Sequence, residues 1–393
     1  MATPQADAVP PRRIPFQPLK SIRSEIRLLE IQPARDVING ALVCRLVNVP
    51  LTEDLEFIGL SALVGDPTVT EDIRINHHRI PVPSNLGQAL RHVRAVFLPA
   101  TPASVPRSSN SSAETQDQAK NLIDPYETPV KATPIQPGKP APKWLVNLMR
   151  SVRSILPDSR QQARLFGPEP LRLWTDSICI NSRDPHELSH RREIVATAYG
   201  SAKMVVGWLG LKDETSELVL ETIHTIDAAM PRRFGSAEDR ELHPENYAPH
   251  YVWMKDMMHL WTLPPTLQRL EDWPTYKAMH AFMSRPYFQR EWIVNEIALA
   301  KFPAFLLGDS ILSWKQVLRM NRATEELVDN GADVFPEDFR KALNFFPLTT
   351  VYTLLGEFER RQAADGDGDD AASSAASTRS VPRSSTLSHS TSK

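Results

Sequence analysis

Cysteine, long apolar runs and net charge are all scarce in this 393-residue chain, and each scarcity excludes something. Two cysteines, Cys44 and Cys179, make no disulfide framework, which points to a reducing, cytoplasmic setting. No window approaches the ~20 consecutive apolar residues that a membrane-spanning helix needs, so no transmembrane segment is expected. Residues Met1 to Lys20 lack the apolar segment of a secretory signal, and their prolines and Asp7 disfavour an amphipathic transit helix. The formal net charge of −2 gives no global pull toward nucleic acid or anionic lipid, and the arginines form no stripe interleaved with aromatics. No P-loop, no G-x-G-x-x-G and no internal repeat is present.

Proline is plentiful instead, and its 34 copies cluster. They divide the chain into a disordered segment 1–24, a domain over 25–330 and a Pro/Ser-rich insertion at 99–168 within it. A helical extension at 331–362 and a disordered Ser/Thr-rich tail at 363–393 follow. Inside the insertion, Trp144, Leu145, Leu148, Met149, Val152, Ile155 and Leu156 share one stripe of an amphipathic helix spanning 143–156. That stripe can pack back on the domain or meet a partner or a membrane surface.

The apolar pattern of the domain is that of an α/β fold. Runs at 26–31, 42–49, 57–65 and 204–210 read as strands, and 73–82 as a small hairpin around His77 and His78. Helices are expected at 85–97, 187–202, 214–230, 276–283, 290–300 and 314–328. The run Leu173 to Asn181, bounded by Pro170 and by Arg183-Asp184-Pro185, reads as a nine-residue strand buried on both faces, with Asp176 inside it. A carboxylate there needs a partner. Strand, helix and strand over 173–210 form a βαβ unit, which implies a mainly parallel sheet flanked by helices, with a helical C-terminal region.

Several short motifs invite chemistry. His186-Glu187-Leu188-Ser189-His190 matches the H-E-x-x-H zinc pattern, but Pro185 precedes it, Arg191-Arg192 follow and no third ligand is evident, so no metal is expected. Gly59-Leu60-Ser61-Ala62-Leu63 has half of a nucleophile elbow and lacks the closing glycine. Cys179 lies among apolar neighbours, where thiols are inert packing groups. Asp176, Asn181 and Asp184, with Asp66 after Gly65 and with Glu187, fall near the carboxyl ends of strands, where open α/β sheets place their sites. Capping and turn formation by Asp and Asn account for the same residues equally well.

Taken in order, these blocks resemble the fungal heterokaryon incompatibility (HET) domain. The family's L-W-I-D-A-I-C-I-N-Q stands here as Leu173-Trp174-Thr175-Asp176-Ser177-Ile178-Cys179-Ile180-Asn181-Ser182, followed by Asp184 and Glu187. Its later W-L-G is Trp208-Leu209-Gly210, preceded by Ala198-Tyr199, Ala202 and Val205. The block R-x-W-F-x-R-x-W-x-x-Q-E-x-A-L-A is recognisable from Arg285 to Ala300, with Arg290, Trp292 and Glu296 at its fixed positions. Upstream, Ile26 to Leu29 and the block from Ile80 through Asn85-Leu86 to Arg94 also match. The family's Y-x-A-L-S-Y-x-W-G-D becomes Phe57 to Asp66, keeping Ser61, Gly65 and Asp66 but losing the second aromatic and the Trp. Ser182 and Arg191 stand where Gln is common.

The resemblance implies a signalling or death-effector module of fungal nonself recognition, working through protein partners or self-association. It also accounts for Glu187 without a metal. By analogy with the Toll-receptor-like (TIR) fold, to which the family has been compared, it implies an alternative: a TIR-like NAD glycohydrolase using Asp176 or Glu187. NAD enters through that analogy alone, and no other cofactor is implied. The departures from the family pattern leave a degenerate, inactive member as a third reading.

Overall fold

In a computed structural model, the described residues are 13–32, 42–98, 142–145, 170–235, 237–260, 266, 269, 272–290, 296–334, 337–343, 355–356 and 358–359. They are organised by one nine-stranded sheet. Its strands are β1 (Glu25–Ile31), β2 (Val43–Pro50), β3 (Ile58–Ser61), β4 (Thr70–Ile75), β5 (His78–Pro83), β6 (Leu171–Trp174), β7 (Met204–Gly210), β8 (Pro303–Leu307) and β9 (Ser310–Ser313). Their spatial order is β5-β4-β2-β1-β6-β3-β7-β8-β9.

The sheet is mixed, which corrects the expectation of a mainly parallel one. Parallel pairing joins β6, β3, β7 and β8 at the centre and recurs between β2 and β4, whereas β1–β2, β1–β6, β4–β5 and β8–β9 are antiparallel. The reason lies in the connections. Short links such as Asn76–His77, both at positive φ, can only reverse the chain into an antiparallel neighbour. Parallel pairing needs a crossover, and β6 and β7 are joined by one. They do not touch each other, however: each pairs with β3 from opposite sides, with Ile58 opposite both Leu173 and Met204.

The nine-residue strand expected from Leu173 to Asn181 is also corrected. β6 stops at Trp174, and the chain turns into a single helical turn, α2 (Asp176–Cys179), with Cys179 N–H bonded to Thr175 C=O at 2.8 Å. Ile178, Cys179 and Ile180 remain buried because the turn folds them onto the core. An apolar run cannot distinguish a buried strand from a buried turn, since both hide the same residues. The consequence for Asp176 is direct: it stands just past the strand end instead of inside the sheet.

The remaining helices are α1 (Ser84–Phe97), α3 (Pro185–Ser189), α4 (Arg191–Ser201), α5 (Ser216–Ala229), α6 (Ala237–Leu242), α7 (Pro274–Met283), α8 (Trp314–Asn330) and α9 (Glu337–Leu343). The helix expected over 187–202 is thus two helices meeting at His190, and α6 adds a short helix after Met230. Helix α1 buries Leu86, Ala89, Leu90, Val93 and Phe97, the stripe its spacing requires. Helix α8 starts at a capping box: Gln316 N–H donates to Ser313 Oγ at 3.4 Å and Ser313 N–H donates to Gln316 Oε1 at 2.9 Å. It packs on α5, which in turn packs on α7.

Of the expected amphipathic helix 143–156, residues 143–145 are described and helical; Trp144 stacks on Phe302 and Leu145 is buried. Residues 146–156, the rest of the 99–168 insertion apart from Pro142, and the 363–393 tail lie outside the described residues. So do the first twelve residues. Within 331–362, Phe358 packs edge-on against Trp314 and Glu359 pairs with Arg322. Among the described residues, no helix is long and apolar enough to cross a membrane.

Candidate functional site

The carboxyl ends of the central parallel strands converge on a small polar cluster. Ser61 closes β3 and is 2% exposed; its Oγ donates to Glu296 Oε2 and accepts from the Tyr287 hydroxyl at 2.9 Å. Tyr287 belongs to a short 3-10 turn, Pro286–Gln289, and lies across β7 at Gly207. A Cβ on Gly207 would fall 2.5 Å from the Tyr287 hydroxyl oxygen, so the strand is glycine where the phenol must pass. Gly59 serves Tyr199 of α4 in the same way, its missing Cβ lying 2.9 Å from the ring. The Tyr199 hydroxyl donates to Leu60 C=O at 3.3 Å, and its ring meets Trp174 edge-on.

Glu296 is the electrostatic centre of the cluster. Burial pushes its carboxyl up to about 7, and the nearby negative charge of Asp176 adds to the rise. The hydrogen bond from Ser61, the nearby Tyr199 hydroxyl and the positive charge of Arg191 act in the opposite sense. Burial also raises both phenols, so Tyr199 and Tyr287 remain neutral donors. Asp176 itself accepts from Arg191 Nη2 at 2.7 Å and from Ser177 Oγ at 3.1 Å. The Asp176 and Arg191 side chains are 23% and 56% exposed, which makes them the solvent-facing members of the group.

Glu187 is elsewhere and differently employed. Its two oxygens accept from Arg27 Nη2 at 2.8 Å and Nη1 at 3.0 Å, with side chains only 3% and 1% exposed, and Oε2 also accepts from Asn181 N–H at 2.8 Å. Arg27 reaches further to the carbonyls of Cys179 at 2.7 Å and Gln17 at 2.8 Å, with Phe16 below its guanidinium. This is a clamp between β1 and the 179–187 segment. A bidentate pair reinforced by further hydrogen bonds is the form in which buried charges are tolerated, and here only the Nε of Arg27 goes without a partner among the described residues.

The other motif residues are built into turns and packing. Asp66 accepts from Thr68 N–H at 2.8 Å and Thr68 Oγ1 at 2.7 Å, which lowers its carboxyl, and Gly65 before it has φ +78°. Trp208 Nε1 donates to Asn85 Oδ1 at 3.0 Å, and Asn85 Nδ2 donates to Leu63 C=O at 2.5 Å. Gly210 turns the chain at φ +101°, where Arg285 donates to the carbonyls of Leu209 and Leu211, each at 3.0 Å. Trp174 is fully buried, Asn181 Oδ1 accepts from Arg183 N–H at 3.2 Å, and Asp184 caps α3. Arg290 is exposed, and Trp292 lies outside the described residues.

The His186 and His190 rings lie 4.7 Å apart at a tilt of 45°, and His190 Nδ1 sits 2.9 Å from the His186 carbonyl oxygen. Burial pushes the thiols of Cys44 and Cys179 up to about 12, which leaves them unreactive.

The structure therefore brings together Ser61, Asp176 and Glu296 and separates Glu187 from them. Arg191, Tyr199 and Tyr287 also belong to the cluster, although sequence reasoning did not single them out as site residues. The signal for the tyrosines was their place in the Ala198-Tyr199 and Arg285-Pro286-Tyr287 blocks. For Arg27, partner of Glu187, it was a charge set between Ile26 and Leu28 of a strand whose residues are almost all buried.

The fold and site define an α/β domain with an acid–base cluster at the carboxyl ends of its central strands. Residues 124–296 match the sequence model of the family described as heterokaryon incompatibility protein (HET), a match that ends at Glu296. The chain is also similar to "Heterokaryon incompatibility protein 6, OR allele" of Neurospora crassa, at 23% identity over 312 residues. That alignment takes in 75% of this chain and 35% of the relative, so the chain spans about a third of the length of the curated protein it matches. No solved structure matches it. Together the match and the relative support a divergent HET protein.

Proposed function

We propose that this protein is an effector module of an incompatibility response in a fungal cytoplasm, acting through contacts with protein partners or through self-association. The observation that carries this reading is the match of residues 124–296 to the HET family, together with a relative named for heterokaryon incompatibility. The test is overexpression of the full chain in a filamentous fungus, with growth and viability scored beside an empty vector. Growth arrest supports the effector reading; normal growth at equal protein level marks an inactive member. Size-exclusion chromatography with light scattering separates self-association from recruitment of a different protein.

A second reading is hydrolytic: cleavage of NAD, as substrate, at the strand ends. One observation favours it, the pairing of a largely buried Glu296 with the ionic Asp176–Arg191 couple. A carboxyl held near neutrality beside a second carboxylate is how proteins divide acid and base roles. On this reading Glu187 is not the working acid, since Arg27 and Asn181 occupy both its oxygens. Incubation with NAD and measurement of nicotinamide release tests it; toxicity with no release refutes it.

A further inference from the structure

The hydrolytic reading leaves open which group moves the proton and what kind of bond breaks, and the geometry of the cluster bears on both. Ser61 is not placed to attack a substrate, because it is buried at the end of β3 and its oxygen already accepts from Tyr287. Tyr287 donates to the same Ser61 oxygen, so a file of two hydroxyls runs toward one carboxyl oxygen. Such a file fixes where Glu296 points; Ser61 and Tyr287 are positioning residues. The side chains that reach solvent are Asp176 and Arg191, together with the partly exposed Glu296.

The charges then select a reaction. A fixed carboxylate such as Asp176 repels the negative charge that builds on an acyl or phosphoryl centre. It stabilises the positive charge that builds on a glycosidic carbon, the situation in which paired carboxylates are used. The exposed Arg191 guanidinium is matched to an anionic oxygen of the substrate, above all to phosphate.

We propose that Glu296 is the proton-transferring carboxyl of a site that hydrolyses phosphorylated glycosides, with Asp176 stabilising the cationic carbon and Arg191 receiving the phosphate. The proposal rests on the hydrolytic reading above. In the forward step the bond between the glycosidic carbon and its leaving oxygen or nitrogen breaks and its electron pair departs with the leaving group. A neutral leaving base, such as the adenine of adenosine 5′-monophosphate, takes its proton from the Glu296 acid, whereas the nicotinamide of NAD, cationic at its nitrogen before cleavage, departs as a neutral molecule and needs none. Water then adds to the cationic carbon and gives its proton to the Glu296 carboxylate. That proton restores the acid after cleavage of the neutral base and passes on to solvent after cleavage of NAD, and water is the sole co-reactant. A carboxyl at about 7 can do both halves of this cycle near neutral pH. The groups that face it are Asp176, Arg191, Ser61, Tyr199 and Tyr287, as its electrostatic surroundings record.

The experiment uses the full chain with NAD, adenosine 5′-monophosphate and phosphate-free adenosine, following base release by proton NMR between pH 5 and 9. The expected result is cleavage of a phosphorylated probe, with kcat falling by roughly 100-fold or more in Glu296→Gln. Arg191→Ala, on an exposed side chain, is expected to raise KM about tenfold and, because its positive charge holds the Glu296 carboxyl down, to move the Glu296 limb of the pH profile to higher pH. Ser61→Ala removes a hydrogen bond that holds the Glu296 carboxyl down, so the limb of the pH profile governed by Glu296 moves to higher pH. Cleavage by wild type with an equally active Glu296→Gln overturns the assignment and leaves the hydrolytic reading standing. A wild type that releases no base from either phosphorylated probe overturns both. Should Glu296→Gln fail to fold, a wild-type pH profile that is flat from 5 to 9 overturns the assignment in its place.

Discussion

Replacing Glu296 with Gln should stabilise the protein, and only above acidic pH. In the folded state burial holds the Glu296 carboxyl at about 7, against 4.5 for an ordinary glutamate. Below the ordinary value the side chain is protonated in both folded and unfolded chains, and the site contributes no pH dependence. Between the two values the unfolded chain releases its proton while the folded chain keeps it. The folded state then binds more protons, and stability falls as pH rises. Above about 7 both states are ionised and the full penalty stands. A displacement of this size corresponds to ~3 kcal/mol at most, less where solvent reaches the partly exposed carboxylate. Glutamine keeps an oxygen for Ser61 and carries no charge to desolvate. Urea denaturation of wild type and Glu296→Gln at half-unit steps from pH 4 to 8.5 isolates the site, because the other ionisable groups largely cancel in the difference. The difference should be near zero at pH 4 and grow to ~1–3 kcal/mol in favour of the variant at pH 8. Asp176→Asn removes one of the charges that raise Glu296 and should shift the rise to lower pH. A difference that stays constant across the whole range refutes the account of Glu296.

Glu187→Ala strands the buried Arg27 and the Asn181 N–H, and should cost about 3–5 kcal/mol in urea denaturation; the double variant Arg27→Met, Glu187→Leu should recover most of it, and a single-variant loss under 1 kcal/mol would refute the clamp. Gly207→Ala places a methyl 2.5 Å from the Tyr287 hydroxyl oxygen and should cost ~1–3 kcal/mol, with Tyr287→Phe relieving part of the clash in a double-mutant cycle. Ser313→Ala removes the N-cap of α8 and should lower stability by ~1 kcal/mol, whereas Ser313→Asp, another good cap, should lower it less.

The elements that sequence made visible are those whose pattern is local. The strand at Met204–Gly210, the His77–His78 hairpin and helix α1 each carry their own periodicity or turn chemistry, and each forms close to where the pattern places it. Topology was less legible, because strand insertion is not a local property. Nothing in the residues 171–210 reveals that β3 enters between β6 and β7 from more than a hundred residues upstream. The cluster was legible only as scattered motif positions. Ser61 and Glu296 are 235 residues apart, and Arg27 and Glu187 are 160 apart. Asp176 was read as a carboxylate inside a strand because the turn that follows Trp174 hides the same apolar side chains a strand would hide.

That turn also explains why one short motif contains two acids with opposite fates. Helix α2 follows directly from β6 at its start, and its last residue, Cys179, gives its carbonyl oxygen to Arg27. Arg27 is held in turn by Glu187, and Glu187 by the N–H of Asn181, two residues beyond α2. The segment bearing Asp176 is therefore pinned at both ends, and its carboxylate is offered to Arg191 from a rigid base. A change at Glu187 would disturb Asp176 without Glu187 ever meeting a substrate. Loss of activity or toxicity in a Glu187 variant thus identifies a chemical role only if it persists when the Arg27–Glu187 pair is replaced by apolar side chains of similar volume. If the double replacement restores function, the carboxylate that does the chemistry must be one of the two at the strand ends, and the separate pH dependences of Asp176 and Glu296 variants decide which.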